Sequence, residues 1–188
     1  MNGFFSMNAF EPLLWCLIVW ALVRLVQTGD SRLWLVVGVF AGLAFENKHT
    51  VVMYLAALGA GILLTPARRM LAGRWPWMGA AVALAIALPN IAWQMANGWP
   101  SLEFYRNAQV LKNVPSPPIK SLVMQVLVMN PLALPVWLTG LAYLLFARAA
   151  QPLRFFGIMF VVLLVMHVAS QTSRPDRTAA AYPLLMAA

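Results

Sequence analysis

Residues 32–65 read RLWLVVGVFAGLAFENKHTVVMYLAALGAGILLT, two apolar runs separated by the polar turn Glu46-Asn47-Lys48-His49. Beyond Arg32 neither run carries a charge, and each has the length of a helix rather than of a strand. The first, Arg32 to Phe45, spans roughly 21 Å at the helical rise, short of the ~30 Å of a bilayer's hydrocarbon core. A second run of similar length, Thr50 to Thr65, follows. Two helices this short carry their connecting turn below the membrane surface or into a water-filled recess, where charged groups are costly and retained for function. The bland reading is an ordinary hairpin turn with solvated charges.

The rest of the chain supports a membrane setting. Of its 188 residues 62% are hydrophobic and 10% charged, and the mean hydropathy of +0.77 leaves a water-soluble globule too little polar surface. In lipid the backbone must satisfy its own hydrogen bonds, so the expected fold is all-α: a polytopic transmembrane helical bundle. A net charge of +8 and pI near 10.6 invite a nucleic-acid reading. The basic residues instead stand singly or in pairs between apolar spans, so no nucleic-acid partner is expected. A single cysteine, Cys16, excludes a disulfide framework within one chain. The opening Met-Asn-Gly-Phe-Phe lacks a basic leader, so insertion is expected to rely on the spans.

About six spans are expected, followed by the start of a seventh. They are read at about Ala9–Val26, Arg32–Phe45, Thr50–Thr65, Trp75–Trp93, Ser121–Phe146 and Leu153–Ser170, with Ala179–Ala188 opening the next. The stretch Gln94 to Lys120 reads as the longest polar connection. Asn130-Pro131 and Leu134-Pro135 predict a kink or break in the fifth span, because proline removes a backbone donor and pushes its predecessor away from helix. No internal repeat stands out, and the chain reads as one domain, 1–188.

With the amino terminus outside, Arg24, Arg32, Arg68, Arg69, Arg74, Arg148 and Arg154 all fall at inner ends. The outer side then receives Lys48, Arg106, Lys112, Lys120, Arg174 and Arg177, together with Glu11, Glu46, Glu103, Asp176, His49 and His167. Carboxylates and histidines gathered at one face point to chemistry there.

Several candidate site residues follow. Lys48 can hold a phosphate as a compact cation, while Glu46 and His49 can accept protons or bind a metal. Asn8 and Glu11 stand one helical turn apart at the mouth of the first span, sharing a face or forming a capping pair. The segment around Trp99 and Glu103-Phe104-Tyr105-Arg106 suits an interfacial belt or stacking on a sugar, with Arg106 a candidate for substrate binding. Arg174, Asp176 and Arg177, followed by Tyr182, form a cluster suited to a phosphate or pyrophosphate, or to lipid headgroups. His167 reads as a packing residue.

The strings SMNAFEPLLW (6–15), GLAFENKHT (42–50), LLTPARRML (63–71), LPNIAWQMANGWPSLEFYRNA (88–108), KNV (112–114), NPLALPVWLTGL (130–141) and RPDRTAAAYPLLMAA (174–188) resemble, in that order, bacterial proteins of the dolichyl-phosphate-mannose-protein mannosyltransferase type. That grouping includes the aminoarabinose transferases of lipid A. The resemblance implies a C-type glycosyltransferase fold in the bacterial inner membrane, an active site facing the periplasm, and a polyprenyl-phosphate-linked sugar as donor. It also implies that Lys48 stands at the lysine of the short inter-helix motif, and that Arg174, Arg177 and Tyr182 face the donor phosphate. Asn8 stands where many relatives place a second acidic residue at the outer mouth of a helix, with Glu11 its nearby carboxylate, which leaves a divalent cation an open question. The family's first helix and the following periplasmic loop, which carries an aspartate base, have no counterpart here, nor do its carboxyl-terminal helices. The chain therefore resembles an internal fragment of that membrane domain.

The expected activity is transfer of a sugar from the lipid donor to a lipid or other acceptor, with Glu46 or Glu11 as the base and Lys48, Arg174 and Arg177 stabilising the phosphate leaving group. The alternatives are a lipid or small-solute transporter or flippase, whose broken helices and buried charges look similar, and an inactive membrane fragment.

Overall fold

The computed structural model describes residues 7–111, 117–170 and 175–188, and the described residues contain helices and no strands. Helix α1 (Met7–Thr28) accommodates Pro12 within its opening turns and stops at Gly29. There a φ of +70° lets the glycine N–H donate to the Leu25 carbonyl, the usual left-handed helix stop. A short turn, in which Asp30 Oδ1 accepts from the Arg32 backbone N–H, starts the return. Helix α2 (Leu33–Asn47) and helix α3 (Val51–Leu63) form the short hairpin. At 15 and 13 residues they reach roughly 22 and 20 Å, so the polar turn between them stays recessed relative to longer neighbours.

A 3-10 helix, Pro66–Leu71, leads into the long α4 (Arg74–Ala96). Among the described residues three helical segments are each long and apolar enough to cross a membrane, Asn8–Thr28, Arg74–Ala96 and Gln151–Ala169. The expected fifth span is broken: α6 (Pro118–Val128) and the segment Pro131–Phe146, which includes α7 (Leu134–Phe146), meet at 91°. Asn130 turns the corner with φ +68°, its side chain accepting from the Leu132 N–H ahead of the prolines. Two expectations change. The long polar connection contains a helix, α5 (Pro100–Leu111), which starts on a proline at its first position, where the missing N–H costs nothing. The segment expected to open a seventh span is a 3-10 helix, Pro175–Ala181, followed by the five-residue α9 (Tyr182–Met186). It is reached through α8 (Arg154–Ala169).

Packing depends on missing side chains. Helices α2 and α4 approach closely where Gly38 meets Gly79: a Cβ on Gly38 would collide with the Gly79 carbonyl, and a Cβ on Gly79 with the Trp34 carbonyl. Between lipid-exposed helices, close backbone contact supplies the dispersion energy that the hydrophobic effect does not. Helix α1 packs on α2, and α3 on α8, around a core including Trp15, Ile18, Leu22, Tyr54, Leu58, Phe155 and Phe160. The consequence for the site is that α1, the α2–α3 turn and α4 bring their polar residues to one end of the bundle.

Candidate functional site

Lys48 is the centre of that polar layer. The residue leaves the α2 helix in an extended conformation (φ −164°, ψ 124°), which turns its side chain toward the first turns of α1. Its Nζ lies 2.7 Å from Glu11 Oε2 and 3.0 Å from Asn8 Oδ1. Thr50 Oγ1 donates to the other carboxylate oxygen, Glu11 Oε1, at 2.8 Å. Both oxygens of Glu11, only 8% exposed, are thus engaged, so this carboxylate acts as an anchor for Lys48 and Thr50. The helical spacing of Asn8 and Glu11 serves to grip one ammonium rather than to cap α1.

A second chain of contacts runs beside the first. His49 Nε2 lies 3.4 Å from Asn90 Oδ1, and Asn90 Nδ2 donates to Glu46 Oε2 at the same length. The His49 ring also packs against Phe45, with centroids 4.8 Å apart. Glu46 itself is exposed, so of the two candidate carboxylates it is the one open to an incoming group.

Aromatic rings form the floor. One turn below Glu11, Trp15 stacks on Tyr54, which lies one turn below Thr50; their centroids are 3.7 Å apart. The Tyr54 hydroxyl is buried and has no hydrogen-bond partner among the described residues. Beyond Trp15 and Tyr54 opens an apolar cavity of about 620 Å³ whose walls include Trp20, Tyr143, Phe156 and Leu184.

The remaining expected residues lie elsewhere. Tyr182 is buried against Trp137 and Phe160, and its hydroxyl donates to Gln125 Oε1 at 3.1 Å. The same amide accepts from Thr178 Oγ1 at 2.7 Å and meets His167 Nε2 through its Nε2 at 3.0 Å, so His167 does belong to packed structure. Arg106 is exposed on α5. Arg174 and the side chain of Arg177 lie outside the described residues. Thr50 and Asn90 belong to the layer although the sequence did not single them out.

The described residues of the polar layer do not form a divalent-cation site. Between Asn8 and Glu11 the cationic position is filled by Lys48 Nζ, and among the described residues no three His, Cys, Asp or Glu side chains gather to hold a metal.

Residues 2–93 match the family described as dolichyl-phosphate-mannose-protein mannosyltransferase, a match that takes in α1 to α3, most of α4 and the whole polar layer. No curated protein and no solved structure matches the chain. The family's members use lipid-linked sugars, and the general activity indicated is glycosyl transfer in a membrane.

Proposed function

We propose that this protein, whose residues 2–93 match the dolichyl-phosphate-mannose-protein mannosyltransferase family, transfers a sugar from a polyprenyl-phosphate donor to a lipid or glycan acceptor at the periplasmic face of a bacterial inner membrane. On this reading the 188 residues form part of the family's membrane domain.

The observation that carries the reading is the setting of Lys48. An ammonium has three N–H donors, and Glu11 and Asn8 occupy two of them. Among the described residues the third has no partner, which leaves it for a phosphate oxygen at the rim of the recess, where a fixed cation stabilises the charge that grows on a departing lipid phosphate. Below it, the cavity past Trp15 and Tyr54 suits the first isoprene units of the same lipid, so headgroup and chain have adjoining places. Arg174 and Arg177 are proposed to bind the donor phosphate, and Tyr182, through its buried bond to Gln125, to anchor the segment that follows them. His49 and Arg106 are proposed to contact the sugar or acceptor. Glu46 would take the acceptor's proton as its oxygen attacks the anomeric carbon and the bond to the lipid phosphate breaks.

Membranes containing the protein, supplied with radiolabelled polyprenyl-phosphate sugar, should consume the donor and pass label to an acceptor. Movement of intact donor lipid across the bilayer without cleavage would instead identify a flippase.

A further inference from the structure

The opposite end of the bundle carries a second organised charge. Arg24, Arg32, Arg68, Arg69, Arg74 and Arg148 are exposed there and Arg154 is half-buried, against one acid, Asp30. Asp30 is committed to its own turn, accepting from the Arg32 backbone N–H. Among the described residues the ion pair observed is Lys48–Glu11, at the far end, and no described carboxylate pairs with these arginines.

Their arrangement goes beyond loose positive charge. The guanidinium carbons of Arg32, from the α1–α2 turn, and Arg74, from the start of α4, both lie over the Trp75 ring, 5.9 and 5.2 Å from its centroid. Two cations from separate loops are thus held on one aromatic platform. Beside Ser31 and the 3-10 helix that carries Arg68 and Arg69 lies a cavity of about 430 Å³, with Leu25, Val26, Trp34 and Met70 among its walls. Trp77 stands 72% exposed nearby on α4, in the position of an interfacial anchor.

We infer that this end is a binding surface for an anionic glycerophospholipid of the adjacent leaflet: Arg32 and Arg74, with Arg68 and Arg69, hold its phosphate, and the neighbouring apolar cavity takes the upper part of an acyl chain. Guanidinium forks suit phosphate oxygens, and an uncompensated basic cluster next to lipid is complementary to anionic headgroups and not to zwitterionic ones. The surface is separate from the Lys48 layer and does not depend on the reaction proposed there.

The test is native mass spectrometry of the delipidated full chain offered phosphatidylglycerol or phosphatidylcholine. Wild type should retain phosphatidylglycerol preferentially. The double variants R32A/R74A and R68A/R69A should each weaken that preference roughly tenfold or more, while R32K/R74K keeps part of it and Lys120→Ala all of it. Should R32A/R74A not yield folded protein, R68A/R69A, on an exposed 3-10 helix, decides alone. Equal retention of the two lipids, an unchanged preference in the arginine variants, or displacement of phosphatidylglycerol by equimolar inorganic phosphate would overturn the inference.

Discussion

Lys48 Nζ lies 2.7 Å from the Glu11 carboxylate, a contact between residues 37 positions apart that fastens the α2–α3 turn to the mouth of α1. The pair is mostly buried, so each charge depends on the other.

Breaking the pair from one side is therefore expected to be expensive. Lys48→Ala leaves the Glu11 carboxylate with Thr50 as its remaining partner and should cost about 3 kcal/mol, read as a lower melting temperature in detergent. The neutral double variant Glu11→Gln/Lys48→Met should restore most of that stability, because an uncharged amide no longer requires a cation.

Thr50→Val removes the second donor to Glu11 while keeping the side-chain shape. The expected loss is about 1–2 kcal/mol in thermal unfolding, with donor turnover falling modestly because Lys48 loses part of its alignment.

Glu46 is exposed and holds a single long contact from Asn90, so Glu46→Gln should leave the melting temperature near that of the wild type. If Glu46 removes the acceptor's proton, transfer falls by roughly a hundredfold or more in the same preparation. A melting temperature that drops with activity would show that the residue is structural.

Much of this layer was legible in the sequence. The two short runs around Glu46-Asn47-Lys48-His49 forced a recessed turn, and the spacing of Asn8 and Glu11 placed both on one face of α1. Asn90 was hidden because it lies within the span read at Trp75–Trp93, next to Pro89, with nothing in the sequence to pair it with the α2–α3 turn; α4 runs through that proline to Ala96. Thr50 was counted merely as the start of a helix. The bonds of Gln125 to His167, Thr178 and Tyr182 join residues 42 to 57 positions apart across a broken helix, a tertiary relationship with no periodic signature. Helix α5 was missed because the prolines after it obscured the one that starts it.

That buried amide has its own test. Gln125→Leu removes the acceptor shared by Thr178 and Tyr182, and should destabilise the protein by about 2–4 kcal/mol. Proteolysis between α8 and α9 should quicken in parallel, since the amide ties that region to α6.

Gly38→Leu would drive a side chain into the Gly79 carbonyl and part α2 from α4. The expected cost is about 3 kcal/mol or more, seen as lost yield of monodisperse protein, and Gly59→Ala, where a Cβ meets open space, should have little effect.

The central claim is that Lys48 holds the donor's phosphate, and the most direct measurement is donor consumption by Glu11→Gln/Lys48→Met, the variant in which the layer is neutral and folded. The account predicts a melting temperature well above that of Lys48→Ala and close to that of the wild type, together with loss of radiolabelled polyprenyl-phosphate sugar turnover. Turnover equal to that of the wild type would contradict it.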